Sequence, residues 1–544
     1  MASTERSDQQ TEAGSNAKRA SYRSGFFFGT LSFFAVATVG LISTIVTSRL
    51  YGVDIIGQFA LVYAPVAGLW IFSTVKEQQA LIKEITGLPP RDPRVTQLFA
   101  AVFTFSLGLT VVVALLDALA CWLIFRGPVN APQLVAPAFA TIAGYVIVTN
   151  TGWNIDSILA AFVAGRQIFW VRLHEVVSFL AIAVVAAFLW RSVWGLVIAI
   201  VGGWLTSFVH RVIVVRPFVR GRLSWAEYRT GLRVLPELLR FGLKATPGMI
   251  AQGASQQAGI WALGTVAPVA VVGAYSRAQT IPQRLQQASN RITEVLYPTL
   301  VGRHTTGDGH GFDRALIDSI RYEVVGMLLI AASIGGAARS VLDLFGPGFA
   351  RASTALALLA LFPVLASITL TQTQALWATN RPGRTSVIAL VRVVVTIALL
   401  VVLTPSVGVA GPAIALLAGY VAVVVLSGIS LRPTLSRPLR ATWPLRERIA
   451  VVVAYATGFA AARLIEQAIP SKFGLLLSLP AGTAVYAGAF VACGGINARD
   501  RRRLGDVVVW VRSWLAQRAT SRGMEPAVVQ PAVVQPATQG QVHD

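Results

Sequence analysis

Cysteine is nearly absent. Cys121 and Cys493 are the only two in 544 residues, and both fall inside long apolar runs, which excludes a disulfide framework and a thiolate metal site. Five histidines are scattered along the chain, so no metal is expected. No Gly-x-x-x-x-Gly-Lys-Ser/Thr loop occurs, which excludes an ATPase of that kind within the chain, and no cofactor is expected. Acidic residues number 24 against 46 Lys and Arg, yet no soluble basic domain is present to bind nucleic acid. Apolar sequence is what the chain does have. It is 55% hydrophobic and 13% charged, a balance foreign to water-soluble globules of this size. The fold class is therefore an all-α polytopic membrane protein.

Apolar stretches of about 20 residues, the length that ~30 Å of hydrocarbon requires, recur fourteen times in the sequence. Six fall in residues 23–215, six in 241–430 and two in 431–497, with a basic linker at 216–240. The first ends without an Ala-x-Ala-like site, so it reads as a retained span. Residues 1–22 and 523–544 read as disordered tails, and 498–522 as a basic helix lying on the membrane surface. With both termini inside, cytoplasmic segments hold 34 Lys and Arg, external ones 5 and the spans 7. The charge excess is thus a topology signal and an attraction to anionic membrane lipids. It places the chain in a cytoplasmic, that is inner, membrane.

A repeat supports two six-helix lobes followed by a C-terminal helix pair. The links Tyr51 to Phe59 and Val269 to Tyr275 join the first two spans of each half, and Gly273 follows Gly57 by 216 positions. The same offset relates Gly203-Trp204 to Gly419-Tyr420. Like-oriented repeats imply lobes related by an axis along the membrane normal, with the substrate path between them.

Along residues 269–298, steps of three and four place Arg277, Thr280, Arg284, Gln287, Arg291 and Glu294 on one helical stripe. The opposite face, with Ala278, Ile281, Leu285, Ala288 and Ile292, is apolar. Each central arginine costs about 2.5 to 3.5 kcal/mol on insertion scales, so the stripe is expected to face a hydrated cavity and an anionic solute. The preceding span adds Lys244 near its cytoplasmic end, then Gln252, Ser255, Gln256 and Gln257 at mid-depth. Cations and amide donors suit phosphate oxygens and sugar hydroxyls. Arg392, about a third of the way into the eleventh span, is a further cavity candidate. Alternatives stay open: Arg291 and Lys244 can snorkel to the inner interface, and Arg277 or Arg284 can pair with Asp117, Asp156 or Asp343. Pro247-Gly248 and Pro282 are hinge candidates, because proline removes a helix hydrogen bond and kinks the helix.

The Arg49-Leu50-Tyr51-Gly52 to Gly57-Gln58-Phe59 link, the Val-Gly-Ala-Tyr-Ser-Arg-Ala run at 272–278 and Val295-Leu296-Tyr297-Pro298 resemble the Wzx-type polysaccharide flippases. These belong to the multidrug/oligosaccharidyl-lipid/polysaccharide (MOP) exporter superfamily. The resemblance implies a carrier without covalent chemistry that turns an undecaprenyl-pyrophosphate-linked oligosaccharide between leaflets for exopolysaccharide, O-antigen or capsule synthesis. The arginine stripe would then meet the pyrophosphate, and a polysaccharide polymerase and an initiating glycosyltransferase would be partners. A related branch flips lipid II, also with fourteen spans, but residues 26–47 lack the cavity-lining charges expected of its first span. A drug/cation antiporter would need buried acids, whereas in-span cations dominate here. A polymerase or scaffold is the remaining class, and a polymerase would need a larger external loop than any here.

Overall fold

The computed structural model describes residues 35–68, 72–73, 77–86, 88–162, 164–220, 224–243, 246–436, 443–469, 472–497 and 500–502, with Val509 and Ser513. The expected terminal tails and most of the surface helix at 498–522 lie outside the described residues, as does Lys244. Every regular element among the described residues is helical. The chain is a multi-pass membrane protein. Nine helical runs among the described residues are long and apolar enough to cross a membrane, one of them, Gly383–Thr434, long enough for two crossings.

The first run, α1, spans Ala35–Gly68. It passes through Gly52 at φ 82°, a value that a right-handed helix does not contain, so the run turns there. The first two spans of the sequence therefore meet at this glycine. After α2 (Glu77–Ile85) and α3 (Pro93–Arg126), helix α4 (Val135–Gly144) passes through a π-turn at Tyr145–Thr149 into α5 (Asn150–Ala161). Helices α6 (Gly165–Leu189) and α7 (Val193–Val215) form a hairpin that closes the first half.

The basic linker is itself largely a helix, α8 (Trp225–Leu243). A reciprocal cap starts it: Ser224 N–H donates to Glu227 Oε2 at 2.8 Å, and Glu227 N–H donates to Ser224 Oγ at 3.2 Å. The sequence Ser-x-x-Glu is the pattern that makes such a cap. Hydrogen bonding to the Ser224 backbone N–H first, and to its side chain, holds the Glu227 carboxyl below its usual range. Gly231 brings α8 against α3, where a Cβ would stand 2.4 Å from the Gln97 carbonyl oxygen.

In the second half, α9 (Thr246–Val266) and α10 (Val269–Thr305) precede α11 (Gly309–Gly336), α12 (Ala338–Asp343), α13 (Ser353–Leu359) and α14 (Phe362–Ala378). A second hairpin, α15 (Pro382–Val407) and α16 (Gly411–Leu431), repeats α6 and α7. The repeat glycines do the same work in both. Gly203 packs on the Phe179 backbone and Gly419 on Arg392 and Thr396. Although α9, α10 and α11 have the length of spans, they are not among the nine most apolar runs. Their polar faces lower the average.

The C-terminal pair, α17 (Leu445–Ala468) and α18 (Lys472–Ala492), packs on α11. Small residues permit this: a Cβ on Gly336 would sit 2.6 Å from Ala462 Cβ, and one on Gly458 2.9 Å from the Gly482 carbonyl. Lipid tails offer no hydrophobic drive between helices, so close van der Waals contact of this kind holds them together. A buried ionic cluster fastens one end. Arg321 Nε lies 2.8 Å from Glu447 Oε2, and its guanidinium donates to both Asp500 oxygens and to the Gly495 carbonyl. Burial raises the Asp500 carboxyl, but hydrogen bonds from Arg321, the Asn497 N–H and Tyr322 outweigh it and hold Asp500 below the usual carboxylate range. A lowered folded value means that this contribution is full above the unfolded range, near pH 4, and fades as pH falls through the folded value. Arg321→Met strands two buried carboxylates and should cost about 3 to 5 kcal/mol. A clear fall in thermal midpoint in detergent is the expected reading, and an unchanged midpoint would show the cluster to be idle.

Candidate functional site

Helix α10 is 37 residues long and presents its polar stripe toward the first half of the chain. Arg277 Nε donates to Ser48 Oγ at 2.7 Å across 229 positions of sequence. About 10 Å further along the axis at 1.5 Å per residue, Arg284 reaches α1 again, since a Cβ on Gly40 would lie 3.6 Å from Arg284 Nη2. Arg284 also donates to Gln287 at 3.4 Å and is an electrostatic neighbour of Tyr63. On the other face Ala278 is fully buried and Ile281 and Leu285 are half-buried. The helix is thus buried on one face and exposes Arg284 on the other.

Neither Arg277 nor Arg284 forms an ion pair among the described residues. The carboxylate partners open to them are engaged elsewhere or unshared. Asp156 binds Arg211 at 2.9 Å and Arg172 at 3.7 Å, Asp343 has Arg339 as its nearby cation, and Asp117 Oδ2 is buried without a partner. The two arginines remain free cations facing α1.

The opposing wall of α1 is built of hydroxyls that the charge-based reading passed over. Ser43, Thr44, Thr47 and Ser48 recur at i, i+1, i+4 and i+5, one helical face. Ser43, Thr47 and Ser48 are buried, and Thr44, Thr47 and Ser48 satisfy their own helix by donating to Gly40, Ser43 and Thr44 carbonyls. The spacing of these hydroxyls was the available signal. Their lone pairs stay open to cations, as Ser48 shows with Arg277.

The remaining candidates divide. Gln256 Nε2 donates weakly to the Tyr420 hydroxyl at 3.5 Å, and its carbonyl accepts from Gln279 at 2.7 Å, which ties α9 to α10 and α16. Arg392 lies with this group rather than on the stripe. It is 3% exposed, its guanidinium stands 4.8 Å from the Tyr420 ring centroid, and its Nε has no partner among the described residues. A cation over an aromatic face is attracted by the ring quadrupole. The side chains of Gln252, Arg291 and Glu294 lie outside the described residues. Pro282 is buried within α10. Pro247 and Gly248 are the second and third residues of α9 as described, and positions 244 and 245 before it lie outside the described residues.

Near the start of α10 the two repeat links interlock. A Cβ on Gly57 would lie 2.0 Å from the Val269 carbonyl oxygen, and one on Gly273 2.1 Å from that of Val53. Val269 follows Val53 by the repeat offset of 216, so the two contacts are the same contact seen from each half. An approximate two-fold axis runs between these glycines. Around them Tyr51, Ile56, Val272, Tyr275 and Phe345 are buried in one apolar cluster shared by both halves.

Among solved structures, the lipid II flippase MurJ in an inward closed conformation matches with TM-score 0.66 at 12% identity, over 85% of this chain and 98% of that one. A multidrug resistance MATE family transporter of the MOP superfamily matches in its inward-facing form with TM-score 0.53 at 16% identity, over 76% and 95% of the chains. An outward-facing form matches with TM-score 0.53 at 15% identity, over 78% and 97%. At 12–16% identity these likenesses show a shared fold. Residues 46–307 match the family model described as polysaccharide biosynthesis protein, somewhat less than half of the chain. No curated protein matches the chain by sequence.

Proposed function

We propose that the chain is a flippase for a lipid-linked oligosaccharide, moving it from the cytoplasmic to the external leaflet of a bacterial inner membrane by alternating access. The observation that carries this reading is the pair Arg277 and Arg284, two membrane-embedded cations without a carboxylate partner among the described residues. A diphosphate supplies the missing charge, and guanidinium forks bind phosphate oxygens two at a time. The hydroxyls of α1 and Gln256 are suited to sugar hydroxyls. Undecaprenyl pyrophosphate is the carrier that this chemistry fits, with both chain termini cytoplasmic and a polymerase and an initiating glycosyltransferase as partners in polysaccharide synthesis.

The greater structural overlap with a lipid II flippase favours a second reading, in which the cargo is the peptidoglycan precursor. Both cargoes present a lipid diphosphate, so the arginines alone do not separate them. The test is the fate of radiolabelled lipid-linked sugars in cells depleted of the protein, with external exposure scored by an added glycan-modifying enzyme. Trapped, inaccessible oligosaccharide units support the first reading, trapped lipid II supports the second, and normal exposure of both would overturn the flippase assignment.

A further inference from the structure

A cavity of about 540 Å³ lies in the groove between α6 and α7, apart from the arginine stripe. Arg166, His174 and His210 supply its polar wall, and Trp170, Val177 and Val214 its apolar one. The imidazoles of His174 and His210 stand edge to face with centroids 5.2 Å apart. His210 Nδ1 is buried without a hydrogen-bond partner among the described residues. The nearest acids are spoken for: Arg211 binds Asp156 at 2.9 Å and Glu175 at 3.0 Å, and Arg172 adds to Asp156 at 3.7 Å. Arg166 is therefore the fixed cation of the cavity wall, and the two imidazoles add hydrogen-bonding nitrogens.

Its position says what could fill it. Arg166 stands in the first turn of α6 and His210 in the last two turns of α7, the ends that the Lys and Arg distribution assigns to the cytoplasm. Arginine, histidine and an exposed tryptophan at the start of a span mark the depth of lipid headgroups. Trp170 is 49% and Val177 48% exposed, and the outer face of α7 continues the apolar belt with Leu205, Val209 and Ile213. A ligand here meets Arg166 and two imidazoles at its head and lipid-facing hydrocarbon along its length. From this we infer that the α6–α7 groove binds an anionic glycerophospholipid of the cytoplasmic leaflet, its phosphate against Arg166 and the two histidines and an acyl chain along Val214 and Val177. The site is distinct from the cargo path, and a lipid held there braces the hairpin that closes the first half.

The test uses purified full-length protein in detergent, titrated with phosphatidylglycerol or with phosphatidylcholine of the same chains while thermal unfolding is followed. The expected result is a saturable rise in midpoint with phosphatidylglycerol alone. Arg166→Gln with His174→Gln should weaken that response about tenfold or more, since charge-assisted phosphate contacts are lost. Val177→Trp, at a half-exposed position that fills the groove while leaving the cations in place, should weaken it as well. Equal responses to the two lipids, or a wild-type response in both variants, would overturn the inference. A rise reproduced by inorganic phosphate alone would overturn the lipid assignment and leave a phosphate-ion site.

Discussion

Export should be lost in the Arg277→Ala, Arg284→Ala double variant while the protein still inserts and accumulates. Each charge-assisted hydrogen bond to a phosphate is worth about 1.5 to 3 kcal/mol, roughly tenfold or more apiece, so removal of both should lower transport by about a hundredfold or beyond. Stability should move the other way. Neither guanidinium has a carboxylate partner among the described residues, so their removal relieves desolvation and strands no buried acid. The paired measurement is polysaccharide output in cells and thermal midpoint in detergent. Reduced output with an equal or higher midpoint is the expected pattern. Normal output would sink the cationic cargo site, and a collapsed midpoint would recast the arginines as structural. Arg284→Lys should recover part of the output, because lysine restores the charge but not the planar fork. Ser48→Ala, which removes the 2.7 Å contact to Arg277, should cost far less than loss of Arg277 itself.

The second large effect is expected at the interlocked glycines. Alanine at Gly273 would put a Cβ 2.1 Å from the Val53 carbonyl oxygen and 2.8 Å from Gly57 N, and alanine at Gly57 would put one 2.0 Å from the Val269 oxygen. Backbone cannot yield as a flexible side chain does, so the links must separate. Neither glycine has a positive φ, so alanine is tolerated at each position once they part. Overpacking of this kind costs about 1 to 3 kcal/mol, which shifts a two-state equilibrium about 5- to 150-fold. On the charge-based topology these links face outward, and alanine there should favour an outward-open state. Ser276, one turn inside the contact and 9% exposed, reports on it. Labelling of Ser276→Cys by an impermeant maleimide should accelerate when Gly57→Ala and Gly273→Ala are added. An unchanged labelling rate with intact transport would show that this contact is no gate.

Several features of this protein followed from sequence because they depend on neighbours a few residues away. Span length follows from bilayer thickness, so hydrophobic runs located the crossings. The face of α10 that carries Arg277 and Arg284 follows from helical period. The offset of 216 residues foretold equivalent positions, and Gly57 and Gly273 indeed meet. The Ser-x-x-Glu cap of α8 was equally readable, although residues 216–240 were read for their arginines as a basic linker. What a face meets is another matter. Arg277 and Arg392 look alike in sequence, each an arginine in an apolar run, yet one reaches Ser48 across 229 positions and the other is buried over Tyr420. Periodicity assigns a side chain to a face of its own helix and says nothing about the helix opposite. That choice, free cation or packed one, was made by tertiary contacts.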